Sequence, residues 1–150
     1  MSRFFLSSAV LMIHCFIGSM SFDQRGDAPN SFWAVHVTNN IPADQVKVRC
    51  KTKDDDFGLK GNQTLLPGYE LWWRFSNNGL SQNTVFFCNF YWGSKDQVFN
   101  VFDSDISRHC TSKHAVDDSC YWSIRRDGFY FSGTNETGSY EKWHDWKYNH

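Results

Sequence analysis

The sequence is poor in the patterns that announce chemistry. No G-x-S-x-G, H-E-x-x-H or phosphate-loop string occurs in its 150 residues. That removes the serine-hydrolase elbow, the zinc-protease helix and the nucleotide cradle. No C-x-x-C pair is present, so the usual spacing of a structural zinc site is missing. An excess of one charge is missing too. The 15 Lys and Arg against 16 Asp and Glu leave a formal net charge of -1. That offers nucleic acid no general attraction and makes any electrostatic recognition local. Beyond residue 21 no apolar run reaches the roughly 20 residues that a bilayer span needs. No repeat marks a solenoid or propeller, and no helical periodicity stands out.

What is present is an aromatic-rich chain, 18% Phe, Trp and Tyr, of a length that suits one domain with a real core. Residues 1–21 read as a secretory signal: Arg3 supplies the positive end, Phe4 to Ile17 the apolar run, and Gly18, Ser19 and Ser21 the small residues for cleavage after Ser19 or Ser21. The run is too short for a membrane anchor. The expected domain is therefore 22–150. Of five cysteines, Cys15 leaves with the signal. Cys50, Cys88, Cys110 and Cys120 remain, an even set that predicts two disulfides in an exported protein. Asn62-Gln63-Thr64 and Asn135-Glu136-Thr137 are N-glycosylation acceptors in that compartment.

Period-two alternation between Gly, Pro, Asn and Asp clusters predicts strands over Phe32–Thr38, Gln45–Lys53, Tyr69–Ser76, Thr84–Trp92, Gln97–Phe102, Cys120–Arg125 and Phe129–Ser132. Arg126-Asp127-Gly128 is a tight hairpin signal. Thr84–Trp92 is apolar on both faces, which places it centrally or under cover. The tail after Gly133 is polar and carries Trp143 and Trp146. The expected fold is all-β, a single sandwich of immunoglobulin-like architecture with seven or eight antiparallel strands. Four cysteines allow three pairings. We expect Cys50–Cys120, tying an early strand to a late one, and Cys88–Cys110.

An ordered set of segments then resembles a known family. Val37-Thr38-Asn39 is followed by Cys50-Lys51-Thr52-Lys53-Asp54-Asp55-Asp56-Phe57-Gly58, then Leu66-Pro67-Gly68 leading to Trp73-Arg74-Phe75. Thr84-Val85-Phe86-Phe87-Cys88-Asn89-Phe90-Tyr91-Trp92, Cys110, Cys120-Tyr121-Trp122 and Asp127-Gly128 complete it. Over about residues 33–131 the chain resembles the poppy-type plant self-incompatibility proteins and their secreted S-protein homologues. The tail after Gly133 matches no signature of that family. The resemblance implies a small secreted β-sandwich with two disulfides and no catalysis. It also implies a ligand role, as for the stylar proteins that a pollen membrane protein reads.

The candidate partner-binding residues lie on the second strand and the turn after it. Lys47, Arg49, Lys51 and Lys53 recur at period two in a row roughly 20 Å long, and Asp54, Asp55 and Asp56 follow. The row suits an acidic partner; it equally suits a solvated strand face whose charges block edge pairing. The aspartates are adjacent rather than spaced for an EF-hand, so they read as an acidic turn and not a calcium loop. Nor do they set an acid and a nucleophile across a cleft. His109 and His114 near Asp117 and Asp118 form a weak metal candidate, and His36 reads as structural. Trp72, Phe87 and Tyr91 fall out of the core phase and are expected to be covered by a second layer; exposed, they would stack on sugars. The reading as a whole is a secreted, monomeric, non-enzymatic protein ligand for a cell-surface receptor. It needs no cofactor, binds no nucleic acid and makes no stable membrane insertion. A cell-wall carbohydrate-binding module or a defence-type effector is the alternative.

Overall fold

The computed structural model describes residues 32–53, 61–76, 84–110 and 117–149. The expected signal at 1–21, Asp54, Asp55, Asp56 and His114 lie outside them. The elements are β1 (Phe32–Asn39), β2 (Val46–Lys51), β3 (Gln63–Leu65), β4 (Glu70–Ser76), β5 (Phe86–Trp92), β6 (Lys95–Phe102), a single helical turn α1 (Ser104–Ser107), β7 (Asp117–Arg125), β8 (Gly128–Ser132), β9 (Glu141–His144) and β10 (Lys147–Tyr148). They form two five-stranded sheets, β4-β1-β7-β8-β9 and β10-β6-β5-β2-β3. We call these the first and second sheet.

Alternation decides which side chains meet between them. Val35, Val37, Trp73, Phe75, Trp122, Ile124, Phe129 and Phe131 turn inward from the first sheet. Val46, Val48, Phe86, Phe90, Phe99 and Val101 turn inward from the second. Rings from opposite sheets touch: Phe90 lies 4.8 Å from Phe129, Phe99 5.0 Å from Trp122, and Phe75 4.7 Å from Phe86. The Trp122 indole donates to the Val101 carbonyl at 2.9 Å, a hydrogen bond from one sheet to the other. It lets the largest buried ring of the core keep its one polar atom satisfied. An irregularity in the β5–β6 register pairs Phe86 with Phe102 and Phe87 with Asn100. Val101 is the extra residue of this bulge, so Val101 and Phe102 are both buried where strict alternation would expose one.

Three expectations need correction. The strands are not all antiparallel: β1 and β7 pair in parallel, Val35 opposite Cys120 and Val37 opposite Trp122. A parallel pair needs a long crossover, and residues 40–116 provide it while building the whole antiparallel core of the second sheet. Second, among the described residues there are ten strands rather than seven or eight, because β3 is too short to show alternation and the tail supplies β9 and β10. That tail closes the core. Trp146 is buried against Phe129 at 4.4 Å and donates to the Arg125 carbonyl at 2.8 Å, and Gln97 donates to the Asp145 carbonyl at 2.7 Å. Gly128 admits it: its φ is +145°, and a Cβ there would sit 2.3 Å from the His144 carbonyl oxygen.

Third, the disulfides join Cys50 to Cys88 and Cys110 to Cys120, not Cys50 to Cys120 and Cys88 to Cys110. The reason is register. β2 and β5 are neighbours, and Cys50 stands directly opposite Cys88 with Cα atoms 4.0 Å apart. Cys110 leaves α1, which Asp103 caps by accepting from the Asp105 and Ile106 amides. That turn sets Cys110 beside the start of β7, 4.8 Å from the Cα of Cys120. The crosslinks close loops of 38 and 10 residues. On chain entropy alone they stabilise by about 4 and about 3 kcal/mol. Replacing Cys50 and Cys88 together by alanine should therefore cost more in urea unfolding than replacing Cys110 and Cys120 together. Peptide mapping of the unreduced protein should recover both bridges as stated.

Candidate functional sites

The inner faces are filled by the core, so the candidate surfaces are the two outer faces and the loops. On the second sheet, β2 presents Lys47 exposed and Arg49 and Lys51 half-buried; Lys53 follows, exposed. The three cations of β2 stand opposite residues of β5: Lys47 opposite Tyr91, Arg49 opposite Asn89 and Lys51 opposite Phe87. The next strand continues the rows with Asp96, Val98 and Asn100. The Lys51 ammonium lies 5.4 Å from the Phe87 ring centre, a cation–π contact that holds the long side chain over its neighbour. Tyr91 and Val98 are exposed at 39% and 53%. The expected cover over the outer face of β5 is therefore absent at Tyr91, and Phe87 is only half-buried. The strand is central in its sheet, as its composition predicts, and its outer face is open at Tyr91. The result is a cationic row laid along an apolar and amide row.

The outer face of the first sheet was not legible as a unit. It is built from residues far apart in sequence, which the parallel β1–β7 pair brings together. One cross-strand row is Trp72, His36 and Tyr121, from β4, β1 and β7. Their rings stack, His36 lying 5.9 Å from Trp72 and 4.6 Å from Tyr121. His36 Nδ1 is 2.9 Å from the Glu70 carboxylate, which agrees with its structural reading. Trp72, expected to be covered, is 56% exposed: β4 is an edge strand, flanked in its sheet by β1 on one side.

The next row is Glu70, Thr38 and Ser123. It forms the floor of a cleft of about 510 Å³, with Asn40 and Arg125 at one side and Asn135, Thr137, Gly138 and Tyr140 of the β8–β9 connection as its wall. Thr38 donates to Glu70 Oε2 at 3.3 Å, Asn40 donates to Ser123 Oγ at 2.7 Å, and Arg125 Nε donates to the same hydroxyl at 3.1 Å. The Arg125 guanidinium lies 4.1 Å from the Tyr130 ring centre and 5.4 Å from that of Tyr140. The Tyr140 hydroxyl donates a hydrogen bond to Asn135 Oδ1 at 2.6 Å, and burial pushes its pKa up.

Both sequon asparagines, Asn62 and Asn135, are exposed. His109 is exposed with its ring 5.5 Å from that of Trp143, and among the described residues no three His, Cys, Asp or Glu side chains converge as a metal site would require. No helix among them is long and apolar enough to cross a membrane.

A filled two-sheet core and two disulfides define a disulfide-bonded β-sandwich with two differently built outer faces. The model of the family called plant self-incompatibility protein S1 matches residues 34–146, and the chain belongs to that family. It is 30% identical to S-protein homolog 5 of Arabidopsis thaliana over 120 residues, 77% of this chain and 85% of that protein. It is 35% identical to S-protein homolog 2 of the same plant over 107 residues, 67% of this chain and 60% of that one. No solved structure matches the chain significantly. The family match runs to residue 146 and so takes in the Trp143 and Trp146 segment, which carried no visible signature.

His144, on β9, stacks on Phe99 at 4.0 Å, and burial lowers its pKa below 6.5, aided by Lys147 and opposed by Asp145. The unfolded chain therefore takes up this proton first as pH falls. Stability from His144 should be complete above 6.5 and decline as the pH drops through its folded-state titration range. Urea unfolding at pH 7 and pH 5 should show the loss, and His144→Gln should flatten the slope.

Proposed function

We propose that this chain is a small secreted, non-enzymatic protein ligand of plant extracellular signalling or cell–cell recognition, read by a cell-surface protein receptor. Membership of the self-incompatibility family supports it, as do the two crosslinks, which persist in an oxidising compartment. The observation that carries it is the cationic row of Lys47, Arg49 and Lys51 beside exposed Tyr91 and Val98. Cations steer an acidic partner into place, while the adjoining apolar groups give the docked surface area to bury. β2 holds that row rigidly, because its opposite face is anchored by Cys50 and the buried Val46 and Val48. Lys53 extends it, and Asp54, Asp55 and Asp56, next in the sequence, contribute to specificity. The protein acts as a monomer after loss of residues 1–21, and the exposed Asn62 and Asn135 accept N-glycans. Self-incompatibility itself is one instance of such a role.

Binding of the labelled protein to wall-free plant protoplasts tests this reading. Reversing Lys47 and Arg49 to glutamate together should slow association by about tenfold at low salt, with the difference shrinking at high salt. Secreted yield should not change. Association that is unchanged at low salt counts against the basic row as the receptor contact.

A further inference from the structure

The cleft on the first sheet lies on the opposite side of the sandwich from the basic row and differs from it in chemistry. Its charges balance: Glu70 and Arg125 line the same cleft. A polyanion gains little there, in contrast to the row on β2. Both groups are also held in place before any ligand arrives. Glu70 is fixed through both oxygens by His36 and Thr38. A carboxylate has about four lone-pair sites, so it can still accept from hydroxyl groups. Arg125 uses Nε on Ser123 and is clasped by Tyr130 and Tyr140, leaving a fork of donors on a fixed plane. Fixing acceptor and donor in advance lowers the ordering cost of binding.

Beside this polar floor stands the ring ladder. Trp72 lies two residues from Glu70 on the same face of β4, exposed at 56% and backed by the stacked His36. An exposed indole next to fixed hydroxyl-binding groups matches a molecule with one apolar face and a polar rim, which describes a pyranose ring. The cleft volume of about 510 Å³ lies within the range of about 300–1,000 Å³ usual for small-molecule sites.

We propose that Trp72, Glu70, Thr38, Arg125 and Tyr140 form an extended binding site for neutral oligosaccharide, with one ring stacked on Trp72 beside Glu70 and a further unit in the cleft with its hydroxyls on Arg125. The sequon at Asn135 and Thr137 lies on the wall of the same cleft. A glycan attached at Asn135 would be held beside the site and compete for it. Neutral sugar is available both in wall polysaccharide and in glycoprotein N-glycans, and the same pyranose chemistry serves either.

The test uses the full disulfide-bonded chain secreted to a bacterial periplasm, hence without N-glycans. It is screened on arrays of neutral cell-wall oligosaccharides, N-glycans and polygalacturonate, and the best neutral binder is titrated by calorimetry. The expected result is selective binding of neutral saccharides, with the array arms telling wall sugar from N-glycan. Affinity should fall at least tenfold in Trp72→Ala and in Glu70→Gln and stay unchanged in Lys47→Glu. Trp72 is on an exposed edge, and Glu70→Gln is nearly isosteric, so at least one variant retains the fold, which peptide mapping of the two bridges verifies. The proposal is overturned if no neutral saccharide binds. It is also overturned if both variants bind like the parent, or if polygalacturonate binds best and Lys47→Glu abolishes it.

Discussion

One buried amide sets the frame at one end of this sandwich. Asn39 ends β1 with no exposed surface, and it uses both its side chain and its backbone. Its Nδ2 donates to the carbonyls of Asp44 and Leu65, both at 2.9 Å, and its Oδ1 accepts from the Ile41 amide at 2.9 Å. Its own amide donates to the Tyr69 carbonyl, and its carbonyl accepts from the Gly68 amide at 2.7 Å. One residue thus joins the first sheet, the turn into the second, the short strand β3 and the turn into β4. β3 has three residues and few cross-strand bonds of its own. Gly68 reaches its place with φ +80°, a conformation that costs glycine little. A buried group of this kind is costly if any of its partners is lost, because each stranded carbonyl or amide forfeits its solvation.

This constraint links scaffold to surface. Where β3 ends fixes where β4 begins, and β4 carries Glu70, Trp72 and Arg74 outward while Trp73 and Phe75 fill the core. Thr38, next to Asn39, lies on the cleft floor, and Asn40 beyond it lies at the cleft side. On the other sheet, the Cys50–Cys88 bridge and the buried valines of β2 hold the cationic row. The molecule therefore has a crosslinked interior and two outward faces, one cationic and one charge-balanced with stacked rings. A receptor and a glycan would meet different sides of it.

The strands of high alternation were legible residue by residue. β1, β5 and β8 lie within a residue or two of where their apolar phase placed them, because one face of each is pressed on the core. What escaped was long-range. The parallel pairing of β1 with β7 leaves no local mark, so the Trp72, His36 and Tyr121 row could not be read, and the Cys110–Cys120 bridge depends on the short turn α1, which shows no helical periodicity. The exposure of Trp72 depends on β4 lying at an edge, which is a property of sheet order and not of composition. Trp146 looked like part of a polar tail because its neighbours are polar; its burial is set by Phe129, Trp92 and the Arg125 carbonyl. The basic row was visible, since period two fixes which side chains share a face, but its apolar companions came from β5 and β6.

The most direct measurement is the unfolding free energy of Asn39→Ala against the parent in urea, with hydrogen exchange followed at the Ile41 and Gly68 amides. The substitution removes a side chain that satisfies two carbonyls and one amide. A loss of about 3 kcal/mol or more is predicted, with faster exchange at both amides. A loss below about 1 kcal/mol with exchange unchanged would contradict a frame held by Asn39, since that is no more than a single ordinary hydrogen bond contributes.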